Sequence, residues 1–128
     1  MEALAGIPQA HAAEIACLGA ALMDAEAARV VSRDLSSQDF FLTKHQALWL
    51  TIAGLIERGD PVDRVSVYRE VLRLGQADHV PPSYLIHLEE SVPTAANLMH
   101  YIGLVKDATL RREARGLGLR LPEQASDL

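Results

Sequence analysis

The chain has 128 residues, enough for one domain and not comfortably for two. Hydrophobic residues make up 49% of it and aromatic ones only 5%, so its core must be built from Ala, Leu, Ile and Val, a composition that favours helices. The formal net charge is −5 and no basic stripe is visible, which argues against direct DNA binding as the main task.

Cys17 is the only cysteine, so no intramolecular disulfide forms and a reducing compartment is implied. The opening MEALAGIPQAH lacks the basic start and apolar run of a secretory signal. No apolar stretch approaches the roughly 20 residues that span a bilayer. A soluble, cytoplasmic protein without membrane contact is expected.

Six helical segments and no strand are predicted. The first runs from about His11 to Met23, after Pro8, with Ile15, Leu18 and Leu22 on one stripe and Gly19 allowing close approach. Asp24 breaks the pattern before a second helix, Ala25 to Leu35, and Ser36, Ser37 and Asp39 mark a turn. The third helix, Thr43 to Arg58, has the strongest periodicity: His45, Leu48, Trp49, Ile52, Leu55 and Ile56 form a broad apolar face. Gly59 stops it and Asp60-Pro61 turns the chain.

A short fourth helix is expected from Val65 to Leu74, capped by Asp63 or Ser66 and stopped by Gly75. The fifth passes through Tyr84, Leu85 and Leu88 and ends before Pro93. Thr94 caps the last and longest helix, which reaches Arg115 before Gly116, Gly118 and Pro122 close it. The candidate core is Ile15, Leu18, Leu22, Leu48, Trp49, Ile52 and Leu55.

In the last helix the apolar stripe changes sides. Leu98, Tyr101, Ile102 and Val105 share one face, whereas Leu110, Ala114 and Leu117 share another, roughly 130° further round. The second half should therefore pack on something other than its own head. Leu110, Arg111, Ala114, Arg115 and Leu117 are the candidate interaction surface. Arg111, Arg112 and Arg115 read as a solvated basic cluster flanking that contact.

Several chemistries are missing. A phosphate-cradling P-loop needs a lysine after a glycine-rich loop, and the only lysines, Lys44 and Lys106, do not follow glycine. No two histidines among His11, His45, His79, His87 and His100 sit three or four apart, and Cys17 has no second thiol, so no metal site is expected. No catalytic pair is marked. His45 reads as a partly buried histidine hydrogen-bonded near a helix start, and Trp49 as a core or subunit-interface anchor.

Read in order, Pro8-Gln9, Ala13-Glu14, Leu18-Gly19, Leu22 and Asp24 resemble the start of a DnaB-type replicative DNA helicase. Asp39-Phe40 followed by His45 and Trp49, Gly59-Asp60-Pro61-Val62-Asp63, Tyr84-Leu85, Val92-Pro93-Thr94-Ala95-Ala96-Asn97 with Tyr101, and Arg111-Arg112 are similar to successive motifs of that family's amino-terminal domain. One departure is Pro81-Pro82-Ser83, where the family usually has Gly-Gly before Tyr-Leu.

The resemblance implies an all-α fold: a compact head of about five short helices in residues 1–93, then in 94–128 a long helix that begins a helical hairpin, and a tail. It implies a collar domain without a catalytic site or cofactor of its own, in a parent whose hexameric motor uses ATP and magnesium. Its implied partners are other copies of itself, paired and then assembled as a trimer of dimers, primase, and a helicase loader. The chain stops soon after Leu121 without the hairpin's return helix, which suggests a fragment. The rival reading is a stand-alone all-α adaptor or antagonist of helicase or primase.

Overall fold

The computed structural model describes residues 2–91 and 97–122. Among these, six α-helices follow one another: α1 (Glu2–Met23), α2 (Ala25–Asp34), α3 (Thr43–Arg58), α4 (Arg64–Arg73), α5 (Pro82–Glu90) and α6 (Leu98–Gly116). A single 3-10 turn, Ser37–Asp39, separates α2 from α3. The fold is all-α, as the composition demands. The expected Thr94 cap and the Pro-Thr-Ala-Ala segment lie outside the described residues.

The first helix is longer than expected, starting at Glu2 rather than at His11. Pro8 has no N–H to give to the Leu4 carbonyl, so the helix passes it with one backbone bond fewer. Glu2, Ala3, Leu4 and Ala5, all good helix formers, continue it beyond the proline.

The centre of the fold is α1. It packs against α6, α2, α5 and α3, and Ala13, Ala16, Cys17, Leu18, Ala20, Ala21 and Leu22 are all buried. A helix apolar all round belongs inside a bundle. Its many alanines let four neighbours approach closely. Leu18, Leu22, Leu48, Trp49, Ile52 and Leu55 are buried in one cluster, with Phe40 tilted against Trp49 at 5.9 Å between ring centroids. Ile15 is the exception: it sits at the edge of this core, only partly buried.

Local chemistry sets the element ends. Gly59 takes φ +78°, the left-handed region open to glycine, while the N–H groups of Gly59 and Asp60 return to the Ile56 and Leu55 carbonyls. Two residues past Pro61, Asp63 accepts the Ser66 N–H at 2.8 Å and opens α4. The pair Pro81-Pro82 also initiates a helix. Pro82 is the first residue of α5, where a missing N–H and a fixed φ cost nothing.

Candidate functional site: a buried polar joint and the outer face of α6

Two features stand out from the apolar packing. The first is a chain of hydrogen bonds through the core. Glu14, the only acidic residue between Ile7 and Met23, points inward from α1 and is 1% exposed. Its Oε2 accepts the Phe41 backbone N–H at 2.7 Å, and its Oε1 lies 2.6 Å from His45 Nδ1 on α3. The other ring nitrogen of His45, Nε2, lies 2.5 Å from the Tyr84 hydroxyl on α5. Lys44 Nζ sits 4.0 Å from the centre of the Tyr84 ring.

Nδ1–H can thus donate to Glu14 while Nε2 accepts from Tyr84, which satisfies every polar atom of the imidazole. The joint ties α1, α3, α5 and the start of the Phe41 segment together at one point. His45 is therefore fully buried, not partly buried as its sequence position suggested. Burial, and then the Glu14 charge, push both the Tyr84 phenol and the nearby Cys17 thiol up to about 12. Neither is a nucleophile at neutral pH. The arrangement does the work of a structural joint.

The second feature is α6. Leu98, Ile102 and Val105 are buried against the head. The same face continues through Thr109 and Arg112, which turn polar because they meet a backbone carbonyl. Thr109 Oγ1 donates to the Asp39 carbonyl at 3.1 Å and Arg112 Nη2 to the same oxygen at 3.2 Å. Phe41 is stacked against His11 of α1 at 6.0 Å, and the Arg112 guanidinium lies 5.3 Å from its ring.

The outer side of α6 and the turn after it carry exposed leucines, and Ala114 departs from expectation. Leu110 and Leu117 are exposed, at 55% and 77%, and Leu119 joins them. Ala114, expected on the same exposed strip, is buried. The chain turns at Gly118, Leu119 N–H bonds back to the Ala114 carbonyl, and Arg111 Nη2 donates to the Pro122 carbonyl at 2.6 Å. The returning tail thus lies over Ala114. An irregular segment can cover one small side chain without a further helix.

The basic cluster is likewise divided. Arg111 is held by Asp107 at 2.8 Å and by the tail, Arg112 by the head, and only Arg115 is freely solvated. Among the described residues no group of His, Cys, Asp and Glu could hold a metal ion, and no helix is long and apolar enough to cross a membrane.

The motif residues thus coincide with the joints of the fold: Glu14, Asp39, Phe40, His45, Gly59, Asp63 and Tyr84. A family model described as DnaB-like helicase N terminal domain matches residues 7–107. The chain belongs to that family. It is 36% identical over 106 residues to the replicative DNA helicase DnaB of Geobacillus stearothermophilus, covering 82% of this chain and 23% of that protein. It is also 36% identical over 115 residues to the DnaB of Mycobacterium leprae, covering 89% of this chain and 19% of the relative. The crystal structure of the N-terminal domain of DnaB helicase from Mycobacterium tuberculosis superposes with a TM-score of 0.80 at 35% identity, covering 84% of this chain and 77% of that one.

The chain spans only about a fifth to a quarter of these curated relatives. What it shares with them is the DnaB amino-terminal domain. Sequence reasoning named His45 and Tyr84 without joining them, because the joint spans positions far apart in the chain. The available signal was an acidic residue amid the alanines of the first helix and a histidine on an apolar face.

Proposed function

We propose that this DnaB amino-terminal domain is a protein-interaction collar, joining copies of itself in a helicase hexamer and receiving primase and a helicase loader in the cytoplasm. The observation that carries the reading is the outer face of α6. Leu110 on α6, and Leu117 and Leu119 in the turn and tail that follow it, are large, apolar and exposed, while the opposite face of α6 is already committed to the head. Apolar surface of this kind marks association sites. A neighbouring helix, from a hairpin or another subunit, would cover it, with Arg115 at the rim.

The DNA-driven chemistry then belongs to a motor domain using ATP and magnesium. The residues here do not fit a nucleotide: Lys44 lies in the first turn of α3 over an aromatic ring, and Lys106 is exposed within α6, neither on a glycine-rich loop. Sedimentation velocity tests the collar reading. The chain should self-associate with rising concentration, and Leu110→Glu with Leu117→Glu should leave a folded monomer. If the double variant unfolds the domain, the strip belongs to the core and the reading fails. An unchanged dimer would place self-association elsewhere.

A further inference from the structure

On α4, apolar residues occupy two opposite sides. Val67 and Val71 face the core and are fully buried. At 100° per residue, Val65, Tyr68, Arg69 and Leu72 fall on the opposite stripe. Val65 is 68% exposed, and across a shallow groove of about 400 Å³ stands Ile86 of α5, 40% exposed; Leu72, 53% exposed, continues the stripe beyond the groove's lining. Leu85 and Pro82 supply more of the groove's apolar lining. A ten-residue helix with a second apolar stripe has a second thing to pack on.

The charge on this stripe runs against that of the whole chain. Arg69 stands in its middle, exposed and without an ion-pair partner among the described residues. Arg64, at the groove's edge, reaches Glu89 at 3.2 Å. The only carboxylate of α4, Glu70, points to the other side and is already held by Arg58 and Arg73. In a chain of net charge −5, the groove is apolar with a cationic centre.

We propose that the groove between α4 and α5 receives an acidic amphipathic helix of a partner protein. The stripe from Val65 to Leu72 runs about 10 Å, two turns, which matches a helix offering residues at i, i+3, i+4 and i+7. Addition of a peptide strand to a sheet edge is excluded, since the described residues contain no strand. A second copy docked here by two-fold symmetry would set its own Arg69 face against the same face. A partner carrying Glu or Asp beside Leu or Ile satisfies both the apolar lining and Arg69. The surface lies apart from the α6 strip, so this inference stands whether or not that strip mediates self-association.

The test titrates the isotope-labelled 128-residue chain with a synthetic amphipathic peptide of about 18 residues, Leu on one face and Glu on its flanks. A second peptide has Lys in place of each Glu. The acidic peptide should move the amide signals of Val65, Arg69 and Ile86, and the basic one should bind at least roughly tenfold more weakly. Arg69→Glu, at an exposed position, should reverse that order. Equal binding of the two peptides, or shifts confined to other surfaces, would overturn the proposal. So would groove signals that move on concentrating the protein alone, which would put a second copy there.

Discussion

Glu14 and His45, from different helices, meet at 2.6 Å where neither side chain touches solvent. A buried carboxyl group is costly unless donors surround it, and here they are the imidazole and the Phe41 N–H. Removing one member of such a pair is worse than removing both, because the survivor keeps its desolvation cost. His45→Ala should destabilise the domain by about 3–5 kcal/mol. Tyr84→Phe, which leaves only Nε2 unpaired, should cost about 1–3 kcal/mol. Glu14→Met combined with His45→Leu should cost less than the sum of the single changes. Urea unfolding of the parent, these three variants and the single changes Glu14→Met and His45→Leu decides it. A His45→Ala cost no larger than that of Tyr84→Phe would show that Glu14 does not depend on the ring.

The legible part of this fold was the local part. The helix order, the Gly59 stop and the Asp63 start follow from short-range chemistry that a run of a few residues displays. The buried set Leu18, Leu22, Leu48, Trp49, Ile52 and Leu55 follows from periodicity. Ile15 slipped to the edge because α1 is surrounded, so its small residues Ala13, Ala16 and Ala20 take the closest contacts. A stripe rule cannot rank faces on a helix that is apolar everywhere. The burial of Ala114 and the capture of Arg111 and Arg112 depend on a returning tail and a distant carbonyl, and neither carries a sequence period. The outward stripe of α4 was present in the sequence but was masked by the inward one.

Glu70 makes the domain acid-sensitive. Arg73 above all, and Arg58 with it, hold its carboxyl well below the ordinary carboxylate value of 4.5, at about 2, against the opposing effect of its burial. Its folded-state value is depressed, so its contribution to stability is complete above about pH 4.5 and is lost as the pH falls towards 2. Glu70→Gln should lower stability at neutral pH and flatten the stability profile between those limits. Thermal midpoints at pH 3, 4, 5 and 7 would show it; parallel profiles for parent and variant would refute the coupling.

Cys17 behaves in the opposite sense. Its thiol is inaccessible, and burial followed by the Glu14 charge raises it from 9.0 to about 12. A folded-state value above the unfolded one gives stability that is full below about pH 9 and lost as the pH rises through 12. At pH 8 the native chain should therefore not react with a disulfide reagent. In urea the reaction should appear together with the loss of helical signal. Rapid labelling of the folded protein would mean that α1 opens locally beneath α5 and α6.

Arg112 closes the head onto α6. Its guanidinium donates to the Asp39 carbonyl and lies over Phe41, while Thr109 donates to the same carbonyl oxygen and His11 stacks on the same ring. The Asp39 side chain is occupied as well, accepting the Ser36 N–H at 2.8 Å and fixing the 3-10 turn. One planar cation thus links α6 to a turn that α1 also touches through Phe41. Arg112→Ala removes a charge-assisted hydrogen bond and a cation–ring contact, and should cost about 1–2 kcal/mol. Arg112→Lys should recover only part of this, since an ammonium cannot lie flat on the ring while reaching the carbonyl. Hydrogen exchange localises the effect. The second half of α6, from Thr109 onward, should lose protection while Ile102 and Val105 keep theirs. If protection falls evenly across all six helices, Arg112 supports the whole bundle and is not a clasp for the end of α6.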